Sequence, residues 1–299
     1  MSEASASRVL GLGEVLWDLQ PPPHGRQLGG APGNFAYHVH AQGIPAAPAS
    51  AVGDDALGHD LLRELRDRHV DTSLVATLKE WPTGTVDVDL DDAGKPKYTI
   101  HENVAWDHIP AGDALLDAAK TARAVCYGTL AQRDAESRET IRRVLDATPE
   151  RCLRVFDVNL RQSFYNRGVV EGGLERATMF KLSDEEVADV ARLIGAPDEP
   201  ERFGDALFDR FADLDLVCIT RGGEGSTIRR RGGEASDQPT VKAKVVSTVG
   251  AGDSFTAGVV SGLLKGLELR DAHDFGTRLA AFVVSQPGAM PELPADLKL

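Results

Sequence analysis

No stretch of this 299-residue chain reaches the ~18 consecutive apolar residues of a membrane span. The opening segment, Met1 to Ser7, is small and polar and does not read as a leader peptide. Cysteine is scarce. Cys126, Cys152 and Cys218 form an odd set with no C-x-x-C pair, each within or beside an apolar run, so they read as reduced core thiols. Basic charge is also short: 33 Lys and Arg against 46 Asp and Glu give a net charge of -13, which repels a phosphate backbone. Arg229, Arg230 and Arg231 are too few to reverse that and read as a solvated turn. These absences argue against membrane and nucleic-acid partners and predict a cytoplasmic protein. Both familiar nucleotide signatures are missing too. There is no G-x-x-x-x-G-K-[ST] segment, and Gly11-Leu12-Gly13 lacks the third glycine of a dinucleotide fingerprint.

What is present is an ordinary globular composition, 42% hydrophobic and 26% charged, in a chain long enough for a single α/β domain over residues 1–299. Arg8 to Gly13 reads as a short buried strand, Gly33 to Gly43 as a helix ended by Gly43 and Pro45, and Ala46 to Val52 as a returning strand. Leu57, Leu61, Leu62 and Leu65 recur at helical spacing. The period then changes to two, as Val86, Val88 and Leu90 alternate with Asp87, Asp89 and Asp91. After a turn at Asp92, Gly94 and Pro96 the alternation resumes at Tyr98 and Ile100, so Gly84 to Asn103 is a predicted hairpin with Val15 to Leu19 as a partner. Together, residues 14–28 and 84–106 make a small discontinuous β lid. From Arg123 onward strands and helices alternate again, with Thr227 to Arg230 and Val241 to Val246 as a late hairpin. Two apolar helices, Ala251 to Lys265 and Ala272 to Val284, close the chain. Repeated units of this kind favour a mostly parallel central sheet flanked by helices.

The strongest local signal is Ser247-Thr248-Val249-Gly250-Ala251-Gly252-Asp253-Ser254-Phe255, where small residues lead straight into an apolar helix. Free amides at a helix start carry partial positive charge, so the backbone of Gly250, Ala251, Gly252 and Asp253 can hold phosphate oxygens. Asp253 can accept the proton of an attacking hydroxyl while those amides stabilise charge on the transferring group. Taken alone, the same residues also fit a plain turn whose aspartate favours the helix dipole.

Combined with Gly29-Gly30-Ala31-Pro32-Gly33-Asn34, this segment resembles the paired signatures of the ribokinase-like (PfkB-type) carbohydrate kinases, and the resemblance covers nearly the whole chain. It implies a ribokinase-like α/β fold with a lid, ATP with Mg²⁺ as phosphoryl donor, a sugar hydroxyl as acceptor and Asp253 as catalytic base. It also implies sugar contacts from Asp18, Gly29, Gly30 and Asn34, where a carboxylate and an amide can each take two hydroxyl hydrogen bonds. A strand-end turn for Asp18 and a helix cap for Asn34 are the structural alternatives. Asp157-Val158-Asn159-Leu160-Arg161 resembles the D-x-N-x-R region of the fructokinase branch and of acid-sugar kinases, which puts Asn159 and Arg161 at the carboxyl edge of the sheet. There Arg161 reaches the substrate or pairs with Asp157. Thr220, Gly222 and Gly225 resemble the family's nucleotide loop, and Gly288-Ala289 its adenine-side closure.

Two positions depart from the family pattern. Ser183-Asp184-Glu185-Glu186 stands in place of N-x-x-E, keeping Glu186 for a water-mediated Mg²⁺ contact but exchanging asparagine for serine. Ser247 replaces the first aspartate of D-T-x-G-A-G-D, a carboxylate that often belongs to a monovalent-cation site. The segment His101 to Asp107 resembles the lid side of bacterial fructokinase-like members, with Trp106 either excluding water or forming lid core. D-fructose is therefore the first expected acceptor. 2-Keto-3-deoxygluconate is the second, and Arg161 is the cation available for its carboxylate. A non-catalytic sugar- or nucleotide-binding regulator is the alternative of a different class. An exposed lid edge makes a homodimer the expected assembly.

Overall fold

The computed structural model describes residues 8–21, 25–90 and 96–299. Its first half runs β1 (Val9–Leu12), β2 (Leu16–Leu19), β3 (Arg26–Gly29), α1 (Ala31–Ala41), β4 (Ala46–Gly53), α2 (Ala56–Asp67) and β5 (Val75–Leu78). The hairpin β6 (Thr85–Leu90) and β7 (Pro96–Ile100) follows, then α3 (Asp113–Ala119), β8 (Ala124–Tyr127), α4 (Ala135–Asp146), β9 (Leu153–Asp157) and α5 (Arg167–Leu174). The remainder is β10 (Met179–Ser183), α6 (Asp184–Ile194), α7 (Pro200–Arg210), β11 (Leu216–Thr220), β12 (Ser226–Arg230), β13 (Ala235–Gln238), α8 (Ala251–Leu264) and α9 (Leu269–Val283).

A nine-stranded sheet in the order β13-β12-β11-β10-β9-β8-β1-β4-β5 is parallel throughout except for β12 and β13. Its central strands are apolar on both faces because both are covered. Val155 and Met179 join Phe35, Phe255 and Val259 beneath α1 and α8, whereas their neighbours Phe156 and Phe180 join Ile141, Val170, Val190 and Phe203 beneath α4 to α7. Helix α8 is apolar nearly all round because it lies between the sheet and α9. A Cβ on Gly258 would fall 2.7 Å from the Cα of Gly276, so these two helices touch backbone to backbone. That contact seats the start of α8 rigidly over the sheet.

The second sheet has the order β3-β2-β6-β7, with β2 and β6 parallel and the outer pairs antiparallel. Asp55 ties its base to the body. The carboxylate caps α2 by accepting from Gly58 N and also accepts from the backbone N and the Oγ1 of Thr83, two residues before β6. The expected turn residues Asp92 and Gly94, and Met1 to Ser7, lie outside the described residues.

Two sequence expectations change here, and one left open is decided. Val241 to Val246 is not a strand: β12 pairs with β13 instead, because Gly232 and Gly233, at φ 92° and 105°, turn the chain back at once after Arg231. Val241, Val245 and Val246 are left exposed. Arg231 is not merely solvated, since its guanidinium donates to the carbonyls of Phe208 in the last turn of α7 and of Phe211 and Leu214 beyond it. Trp106 is fully buried, with the Arg133 guanidinium stacked 4.0 Å from its ring, so it is core rather than a solvent gate. All three cysteines are free and buried, as their sequence surroundings predict.

Candidate active site

Strands β4 and β8 flank β1 on opposite sides, so the strand order reverses at β1 and leaves a crevice at the carboxyl ends. Glu14 follows β1 and Asn159 follows β9, and both line a small cavity of about 10 Å³ with Asp157, Asp253 and Thr256. The starts of α1 and α8 meet in the same place. Asn34 Nδ2 donates to Asp253 Oδ2 at 2.7 Å across 219 positions of sequence, so Asn34 is no helix cap; Gly30 holds the cap position of α1.

Gly250 opens α8 at φ 78°, and a Cβ there would lie 2.7 Å from the Cβ of Ala289, so both conformation and space require glycine. On the opposite wall Asp18 lies within β2 rather than in a turn, and a Cβ on Gly29 would come 2.6 Å from its Oδ2. Burial lifts the carboxyl pKa of Asp18 to about 6, against the pull of Arg161. Burial likewise raises Asp253 to about 6, opposed first by the Asn34 hydrogen bond. Glu14 is raised to about 7 by burial and by the charge of Asp253, opposed by Arg161 and by backbone amides. Arg161 is exposed at the mouth among these acids. It does not pair with Asp157, whose Oδ1 accepts from Lys181 Nζ at 3.0 Å and whose Oδ2 accepts from Thr256 Oγ1.

Beyond the α8 turn a larger cavity of about 650 Å³ is lined by Thr220, Gly222, Gly225, Gly252, Val245 and Ala281 among others, a size suited to a nucleotide. The first turns of α8 border both cavities, Asp253 and Thr256 on the small one and Ala251, Gly252 and Phe255 on the large one. Gly288 does not line the large cavity. Its near neighbour is Gln27 of β3, while Ala289 packs on Gly250 and its carbonyl accepts from His38 Nε2 at 2.8 Å. Burial lowers the His38 pKa to about 4, so the ring is neutral.

Glu186 turns inward from α6. Its Oε2 accepts from Ser183 N and Oγ, completing a capping box, and its Oε1 accepts from Leu160 N. No cluster of three or more His, Cys, Asp or Glu side chains able to hold a metal occurs among the described residues.

Two members of the site escaped sequence reasoning. Lys181 was legible as the one charged residue inside the apolar run Met179-Phe180-Lys181-Leu182, a position where a buried cation needs an acid partner. Glu14 was legible only as part of the Gly13-Glu14 pair that precedes Asp18 and matches the family pattern, with no role of its own, because its burial depends on α1 folding over it.

The PfkB family carbohydrate kinase model matches residues 20–296. A protein of Pyrococcus horikoshii described as an uncharacterized sugar kinase is 29% identical over 94% of this chain and 91% of its own. Its crystal structure in complex with ATP superposes with a TM-score of 0.82, covering 94% of each chain at 28% identity. A fructokinase of Escherichia coli is 29% identical over 98% of both chains, and a 2-dehydro-3-deoxygluconokinase of Bacillus subtilis is 29% identical over 91% of this chain and 85% of its own. Among the described residues no helix is long and apolar enough to cross a membrane. The two-sheet α/β fold, the crevice at the strand reversal and a family match spanning most of the sequence agree: this chain belongs to the PfkB family of carbohydrate kinases.

Proposed function

We propose that this protein transfers the γ-phosphoryl group of ATP to D-fructose, giving fructose 6-phosphate and ADP. The observation that carries the reading is the Asn34 to Asp253 hydrogen bond, because it joins a polyol-binding wall to an anion-binding helix start in one crevice. Asp18 and Asn34 hold sugar hydroxyls. ATP lies in the large cavity with its γ-phosphate against the amides of Gly250, Ala251, Gly252 and Asp253, and Mg²⁺ accompanies it. The sugar oxygen attacks phosphorus, its proton passes to Asp253, and the bond from phosphorus to the β,γ-bridging oxygen breaks. The β2-β3-β6-β7 sheet acts as a lid over the acceptor, and its edge strands β3 and β7 support a homodimer. Light scattering at micromolar concentration is expected to give twice the 32.0 kDa chain mass; the monomer mass would rule the dimer out.

The neutral acceptor is favoured by the acids lining the wall, Glu14, Asp18 and Asp253. One feature favours 2-keto-3-deoxygluconate instead, namely exposed Arg161, which is bonded to no carboxylate among the described residues and can meet one on the substrate. ADP release measured with Mg-ATP against fructose, ribose, glucose, ketodeoxygluconate and adenosine decides between them. Fructose is expected to give the highest kcat/KM; silence with fructose removes the assignment, and turnover of ketodeoxygluconate alone selects the second reading.

A further inference from the structure

The backbone that carries Asn159 and Arg161 is held in an unfavourable shape. Asn159 at φ 41° and Gln162 at φ 48° are both non-glycine residues in the left-handed region, with Leu160 and Arg161 between them. Such conformations persist only where the surroundings over-determine them, and they gather at functional sites. Thr129 Oγ1 fixes one end by donating to Val158 O at 2.8 Å, and Gln162 Nε2 fixes the other by donating to Tyr98 O of β7 at 2.8 Å. The middle is fixed by a charge. Glu186 Oε1 accepts from Leu160 N at 2.6 Å, while Oε2 stays bonded to Ser183 N at 2.8 Å and Oγ at 3.1 Å. Arg161 in turn makes its one hydrogen bond among the described residues to Leu160 O, at 3.1 Å. Leu160 is thus gripped by its amide from α6 and offers its carbonyl to the guanidinium.

We propose that Glu186 is a positioning residue for the acceptor sugar, clamping the strained Asn159 to Gln162 loop so that Arg161 is presented at the mouth of the crevice. Both carboxylate oxygens are engaged in this task, which links the start of α6 to sugar binding. The proposal rests on the reading of Asn159 and Arg161 as acceptor contacts.

Glu186→Gln tests it. A carboxamide oxygen can accept from Leu160 or from Ser183, but its NH₂ then faces the other donor, so at least one arm of the clamp is lost. With fructose, or whichever acceptor turns over best, KM for the acceptor is expected to rise about tenfold or more with a smaller fall in kcat. The assay is run at saturating Mg-ATP, so that the change is read on acceptor binding. Arg161→Gln is expected to raise the same KM, and adding Glu186→Gln to it should change little, because both act on one contact. An unchanged acceptor KM in Glu186→Gln, or a full extra factor in the double variant, overturns the clamp. If Arg161→Gln itself leaves acceptor KM unchanged, the acceptor contact falls and the clamp falls with it. If Arg161→Gln acts and Glu186→Gln is silent, only the clamp is lost. Circular dichroism of each variant at the assay temperature separates these outcomes from unfolding.

Discussion

Asp253→Asn is expected to lower kcat by about 10³-fold while leaving both KM values within a few-fold of wild type. The asparagine is nearly isosteric, and its carbonyl can accept the Asn34 Nδ2 hydrogen bond now made by Asp253 Oδ2. The start of α8 and its phosphate-facing amides therefore stay in place. What disappears is the capacity to take a proton, so the loss should fall on the chemical step. The pH dependence follows with a definite sign. Burial raises the Asp253 carboxyl to about 6, and the base works only when ionised. Activity of the wild type should accordingly fall as pH drops through about 6, and the residual activity of the variant should lack that acid limb. A steady-state ADP-release assay across pH 5 to 8, with about 0.1 M salt throughout, measures both. Persistence of near wild-type turnover in Asp253→Asn would remove this residue as the base.

The parts of the molecule legible in sequence are those dictated locally. Alternation of Val86 and Val88 with aspartates marked the small sheet, since one face of a two-sided strand must be wet. The glycines before Asp253 marked a helix start, since only small residues let phosphate reach the amides. What was hidden depends on contacts between distant segments. Val241 to Val246 has the pattern of a strand but loses its partner to Ala235–Gln238, which the Gly232-Gly233 turn delivers first. Gly288 read as part of the nucleotide side, yet the loop it begins folds against Gly250 and β3, because Ala289 fits only where Gly250 lacks a side chain. Glu186 read as a metal residue. Its bonds to Leu160 and Ser183 could not be foreseen, because they require β9 and β10 to be adjacent, a fact of sheet order rather than of spacing.

Lys181→Met should be the most destabilising single change in the site, and the reason lies in what it leaves behind. Lys181 and Asp157 are 9% and 7% exposed at their side chains and 3.0 Å apart. Burial works against the ammonium, but the nearby charges of Asp157 and Glu186 outweigh it and raise its pKa, so Lys181 is charged; burial also raises the carboxyl of Asp157, opposed first by that ammonium. Removing one partner strands a buried carboxylate, at a cost of about 3–5 kcal/mol in urea unfolding. The stranded Asp157 would recover part of that by taking a proton, its folded pKa, already raised by burial, rising further once the opposing ammonium is gone. Stability gained that way is present at low pH and lost as pH rises, so the deficit should be smaller at pH 5 than at pH 8. Lys181 also touches the catalytic segment: a Cβ on Gly252 would lie 3.0 Å from its Nζ, and Gly252 and Thr256 share one face of α8. The ammonium therefore adds positive charge beside the amides proposed to receive the phosphoryl group, and its loss should lower kcat by about 10²-fold. Lys181→Met with Asp157→Asn separates the two effects. The double variant carries no buried charge at this pair and should regain much of the stability. Its kcat should remain low, because the cation is still missing. Recovery of kcat along with stability would mean that the pair only holds the fold.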